Sequence, residues 1–179
     1  MADNLVSKFR GVSTLDWQWY EYSLTYANSV IPEAMLYAYK TTQNYLYKEI
    51  AEASFHFLLQ IIFKKEQIKV VSNQGWHHKN YESYEFGEQP IEIAYTIFAL
   101  DLFYREFKEL DYFIKMKYAF HWFLGANHLH QIIYNPCTGG CYDGLEKLDV
   151  NLNQGAESTL SYFLSRLIIE KYELEEESE

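Results

Sequence analysis

The stretch from Tyr47 to Lys64 restricts the possible folds of this chain more than any other. Ile50, Ser54, Phe57, Leu58 and Ile61 recur at three- and four-residue spacing and share one helical face, while Phe55, Leu59 and Ile62 form a second. A helix that is apolar on two sides has to be covered on two sides, so it belongs inside a domain of several packed helices. Similar spacing recurs around it. Pro32 suits the first turn of a helix running to about Tyr45, where no backbone donor is needed. Pro90 opens another, to about Phe107, with Ile91, Ala94, Tyr95, Phe98 and Leu102 on one face. A helix from about Leu110 to Leu124 turns Phe113, Met116, Phe120 and Phe123 inward and stops at Gly125. The last begins near Gln154-Gly155 and runs to about Lys171, with Leu160, Phe163, Leu164, Leu167 and Ile168 as its apolar stripe. Asp16 is placed to cap a short helix in 14–31, and Gln67–Val71 could form a short strand.

Two polar, aromatic-rich loops, residues 65–89 and 126–154, interrupt this pattern. Loops of this length inside a compact domain are usually functional or disordered, and the aromatic, Gly and amide content here favours order. The prediction is an all-α domain. Helical hairpins with their loops gathered at one end suggest an incomplete (α/α)6-type toroid, with a plain helical bundle as the alternative. The 179 residues suit one domain over 14–171, an N-terminal segment at 1–13 and an acidic tail at 172–179.

Hydrophobic residues make up 49% and aromatics 18%, which excludes a disordered chain. The net charge is −10, and six Glu with one Lys in 170–179 supply half of it, reading as a solvated end. That balance argues against non-specific nucleic-acid binding, which needs a cationic face. The longest apolar stretch, Phe55 to Phe63, is far short of the roughly 20 residues of a membrane span. The N-terminus carries Asp3, Lys8 and Arg10 and no apolar core of a secretion signal. Two cysteines make no disulfide framework, so a cytoplasmic protein without a membrane role is expected.

The most informative local sequence is Cys137-Thr-Gly-Gly-Cys-Tyr-Asp-Gly-Leu145, followed by Asn151-Leu-Asn-Gln-Gly-Ala-Glu-Ser158. Gly139 and Gly140 allow backbone angles other residues avoid. Asp143, Asn151, Asn153, Gln154 and Glu157 place amides and carboxylates beside a helix start, where Glu157 suits the dipole. Such groups bind sugar hydroxyls, and Trp17, Trp19, Tyr26, Trp76 and Tyr142 could cover the apolar face of a sugar ring. Equally, the amides could simply tie down a long loop, with Glu157 capping the helix. Glycosidic cleavage uses paired carboxylates, for which Glu157, Glu21 and Asp143 are the candidates and Asp101 a weaker fourth. A competing set, His128 and His130 with Cys137 and Cys141, could hold a structural zinc, although its spacing is irregular. No phosphate-binding Gly loop, dinucleotide fingerprint, nucleophile elbow or zinc-protease motif is present, and neither a catalytic metal nor a cofactor is expected.

Gly139-Gly-Cys-Tyr-Asp-Gly-Leu145, with Asn151 through Thr159, resembles the signature that ends an α/α-toroid domain of bacterial carbohydrate-active proteins. That domain is commonly attached to family-4-type (GT-B) glycosyltransferases. Trp17-Gln-Trp-Tyr-Glu21, Leu24-Thr-Tyr-Ala-Asn28, Asn73-Gln-Gly-Trp76, Gln89-Pro-Ile-Glu92 and Trp122-Phe-Leu-Gly125 resemble further segments of it, so the likeness spans residues 17–170. Ala27 stands where the family usually has Asp, and Cys137 where an acidic or polar residue is common. The resemblance implies a glycan-acting domain, with oligosaccharide or polysaccharide as partner. Trp19, Tyr26, Asn28, Trp76, Asn153 and Gln154 would hold the sugar, and Glu157 with Glu21 would do the chemistry. A non-catalytic glycan-binding or partner-docking module is the rival class. It also implies a chain corresponding to about half of a closed toroid, whose apolar flank would be covered in a homodimer or by a partner chain.

Overall fold

The computed structural model describes the backbone of residues 1–177 and side chains through Leu174. Among these residues the helices are α1 (Ala2–Val12), α2 (Val30–Thr42), α3 (Tyr45–Ile62), α4 (Pro90–Phe107), α5 (Leu110–His121) and α6 (Ala156–Glu177). Eight two-residue strands pair antiparallel in four ladders. β1 (Ser23–Leu24) meets β4 (His77–His78), and β2 (Phe63–Lys64) meets β3 (Gln67–Ile68). β5 (Tyr134–Asn135) meets β6 (Gly140–Cys141), and β7 (Gly144–Leu145) meets β8 (Val150–Asn151).

The expectation of an all-α, incomplete toroid is therefore corrected: the fold is 54% helical and mixed, with short antiparallel sheets in its long loops. The reason is one of length. A half-buried strand announces itself by alternation over 4–8 residues, and strands of two residues show none. Residues 14–31 hold no helix until Val30; Asp16 lies in a turn closed by the Thr14↔Trp17 bridge. The N-terminal segment is helical instead, with Asp3 in the first turn and Arg10 in the last, and it buries Val6 and Phe9. Helix α6 continues beyond Lys171, so the acidic tail is helical through Glu177, while residues 178 and 179 lie outside the described residues.

The helix ends follow local chemistry. Asn44 Oδ1 accepts the Leu46 N–H at 3.1 Å and caps α3. Pro90 occupies the first position of α4. Gly125, at φ 104°, ends the 3-10 turn Trp122–Leu124 that follows α5. Helix α4 is covered almost all round, packing on α2, α5 and α6, while α2 packs on α3. Phe55 of α3, Phe103 of α4 and Tyr112 of α5 meet at the centre, the first two with ring centroids 4.3 Å apart. Ser54, the polar member of the apolar face of α3, bonds the buried Tyr20 hydroxyl at 2.9 Å.

No helix among the described residues is long and apolar enough to cross a membrane.

Candidate functional site

The two long loops are joined to each other. Glu88 and Leu145 exchange N–H and C=O at 2.9 Å in both directions, and the Gly87 N–H also donates to the Leu145 carbonyl. Gly144 permits this approach, since a Cβ there would lie 2.9 Å from the Glu88 carbonyl oxygen. Beside the seam lies a polar cleft of about 300 Å³, lined by Asn73, Glu88 and Gln89 from the first loop and Asp143, Glu146 and Asn151 from the second. The start of α6 closes it with Glu157 and Ser158.

Asp143 fixes one wall. Its Oδ1 accepts the Gly155 N–H at 2.8 Å and the Ser158 hydroxyl at 2.7 Å, at the N-terminus of α6. Its own N–H is shared between the Asn151 and Asn153 carbonyls, at 3.1 and 2.9 Å. Asp143 thereby ties down the residue that precedes α6, a serine of the helix's first turn and the β7–β8 turn at once.

Glu88, nearly fully buried, lines the cleft as well. The Trp122 indole N–H donates to Oε2 at 2.9 Å, and His128 Nδ1 lies 3.2 Å from Oε1. His128 Nε2 is 2.9 Å from the Glu146 carbonyl. A carbonyl only accepts, so Nε2 carries a hydrogen, and one proton lies between Nδ1 and the Glu88 carboxyl. Burial pushes the Glu88 carboxyl up, and Trp122, His128 and Lys69 pull the other way.

At the rim, the Tyr26 hydroxyl donates to Glu157 Oε2 at 3.4 Å. Burial, then the charges of Glu157 and Glu92, push the Tyr26 phenol up to about 12, so it remains a donor. Glu92 sits beneath, accepting the Ala27 N–H. Burial raises its carboxyl to about 7 against those hydrogen bonds. An unfolded Glu titrates near 4.5, so between pH 4.5 and 7 the unfolded state loses its proton first, and stability falls as pH rises. Glu92→Gln keeps the acceptor without the charge. Urea unfolding from pH 5 to 8 is expected to show the parent losing about 2–3 kcal/mol more than Glu92→Gln. Parallel profiles would contradict the assignment.

Of the residues singled out in the sequence, Asp143, Asn151 and Glu157 line the cleft, and Tyr26 reaches it through Glu157. The others lie elsewhere. Glu21 is an exposed partner of Lys8 of α1 at 3.0 Å and does not pair with Glu157. Trp19 is core, against Tyr20 and Phe57. Asn28 is buried and closes a turn with Thr25 in both directions. Trp76 is exposed but lines no part of the cleft. Asn153 is exposed, its N–H donating to Asn151 Oδ1. Gln154 accepts from the Thr138 hydroxyl at 2.6 Å and lies over Gly140. Tyr142 faces away. Tyr142, Val150 and Leu152 line a separate hollow of about 680 Å³ while Asp143 and Asn151 line the cleft, and alternation along β8 puts Val150 and Asn151 on its two sides.

Asp101 is bound by Arg105 at 2.8 Å and by the Tyr172 hydroxyl at 2.5 Å, a structural arrangement. Burial pushes the Cys141 thiol up to about 12, and His128 is engaged by Glu88. Among the described residues no three His, Cys, Asp or Glu side chains converge as a metal-holding group.

Asn73, Glu88, Gln89, Glu146 and Ser158 are cleft residues that sequence reasoning did not single out as candidates. A buried carboxyl just before Gln89-Pro90 reads as ordinary loop, and only its distant partners Trp122 and His128 mark it.

No protein-family model matches the chain, and no curated protein matches it in sequence.

Proposed function

We propose that this chain binds an oligosaccharide in the cleft between its two long loops. The observation that carries this reading is the lining: Asn73, Gln89, Asn151 and Ser158 offer amide and hydroxyl groups around the Glu157 carboxylate, in a space of about 300 Å³. Paired donors and acceptors of this kind suit sugar hydroxyls, and the volume fits one or two rings. The likeness of the closing motif to carbohydrate-active domains points the same way. Free Cys137 and Cys141, the first exposed, suit a reducing compartment and support a cytoplasmic location.

Calorimetric titration with mannose-, glucose- and galactose-based oligosaccharides tests the reading. Glu157→Gln and Asn151→Ala are each expected to weaken binding of the preferred sugar roughly ten- to a hundredfold. Saturable binding that neither substitution weakens would place the ligand elsewhere.

A second reading, glycoside cleavage in the same cleft, is favoured by Glu88 alone. A buried carboxyl whose proton affinity burial raises, lining the same cleft as the exposed Glu157 carboxylate, suits the division of labour that acid-assisted cleavage requires. Shortened products, lost in Glu88→Gln, would select this reading, and unchanged oligosaccharide would select binding alone.

A further inference from the structure

Helix α6 is inverted. Most of the stripe that sequence periodicity assigns to the core faces solvent: Leu160 is 58% exposed, Phe163 46%, Leu164 47% and Leu167 60%, while Ile168 alone of that stripe packs partly buried against the core; Leu174, farther along the same side, is 62% exposed. Its inner face, against α4 and α5, is buried at Ser158, Ser161, Tyr162, Ser165, Ile169 and Tyr172. The small Ser side chains let α6 lie close to its neighbours and bond its own preceding carbonyls, from Ser161 to Glu157 and from Ser165 to Ser161, each at 2.7 Å. The bulk of the helix's apolar surface is left outside. Five half-exposed large side chains present on the order of 500 Å², at the upper end of what monomers leave uncovered. Val30 and Tyr37 of α2 are exposed as well. Together they approach the roughly 800 Å² per partner of a standard interface.

We propose that this face is the interface of a homodimer, in which α6 of one copy packs antiparallel on α6 of a second about a two-fold axis beside Leu164. Two features of the stripe fit a second copy. First, its charges are self-complementary. Glu157 and Lys171 lie seven residues to either side of Leu164 and on the same edge of the stripe, so antiparallel pairing sets Glu157 of each copy against Lys171 of the other. Arg166, on the far flank, is already paired within α6 with Glu170 and Glu173, at 3.7 and 3.1 Å. Second, Leu164, Leu167 and Lys171 form one wall of a hollow of about 430 Å³ whose other wall carries Tyr37 and Phe98, so a side chain from the facing helix has somewhere to seat. Antiparallel helices also set opposite dipole ends side by side. This arrangement does not depend on the cleft's ligand. It does bring Lys171 of the second copy to the cleft's mouth, where Glu157 stands.

Sedimentation equilibrium of the full chain tests it. The expected result is a dimer that becomes monomeric in Leu164→Glu/Leu167→Glu, with helical content by circular dichroism unchanged because both residues are exposed. Charge reversal gives a second test that spares the apolar stripe. Glu157→Lys and Lys171→Glu are each expected to weaken the dimer roughly three- to tenfold, each contact occurring twice, and the double variant to restore it. A parent that stays monomeric to its highest soluble concentration overturns the proposal. So does a dimer indifferent to both sets of substitutions.

Discussion

Trp122→Ala is expected to remove about 3–5 kcal/mol of folding stability, the cost of truncating a large buried aromatic residue. Trp122 is fully buried beneath the cleft, edge-on to Phe123 at 5.4 Å, and its indole N–H is one of two polar contacts made by the Glu88 side chain. Truncation opens a cavity and leaves half of a buried carboxyl without a donor, so two costs fall on one site. Trp122→Phe separates them. It fills most of the volume and loses only the N–H, at an expected cost of about 1–3 kcal/mol. Urea unfolding followed by circular dichroism measures both. A Trp122→Ala cost below that of Trp122→Phe would show that the cavity term has been misjudged.

Asp143→Ala is expected to reduce oligosaccharide binding on the order of a hundredfold and stability by about 1–2 kcal/mol. Its carboxylate holds the Gly155 N–H and the Ser158 hydroxyl, while its backbone holds the β7–β8 turn that presents Asn151. Losing the side chain frees Glu157 and Ser158 from the turn that faces them. Asp143→Asn keeps an acceptor oxygen without the charge that suits a helix N-terminus. It is expected to retain most of the binding with a smaller loss of stability. If Asp143→Asn binds as poorly as Asp143→Ala, the carboxylate touches the ligand itself and does more than position its neighbours. Titration calorimetry and thermal unfolding on the same samples distinguish these outcomes.

The sequence makes the helices legible because their period is long and repeated. Pro90 and Phe107 bound a helix in both readings, and Gly125 ends one in both. The cleft was half legible. Asp143, Asn151 and Glu157, which line it, stand out in the sequence because amides and carboxylates crowd beside a helix start, a local signal. Glu88 does not, since its significance comes from Trp122 and His128, which are 34 and 40 residues away. Aromatic residues misled in the other direction. Trp19 offers a sugar platform in sequence, yet core burial claims it, because in a chain this aromatic most large rings must fill the interior. Glu21 failed as a catalytic partner because no spacing rule ties two carboxylates across a fold, and α1, which supplies its Lys8 partner, was not foreseen. The orientation of α6 was the plainest reversal. Periodicity locates an apolar stripe but not what covers it, and three buried serines invert the usual reading.

The seam between Glu88 and Leu145 has a consequence for how the molecule fluctuates. Regions open in cooperative units set by their shared hydrogen bonds. The amides of Gly87, Glu88 and Leu145 belong to one such unit, although 57 residues separate Glu88 from Leu145. Neither long loop can breathe by itself without breaking bonds to the other, so solvent exchange, proteolytic nicking and any graft of the cleft onto another scaffold must treat the two loops as one piece.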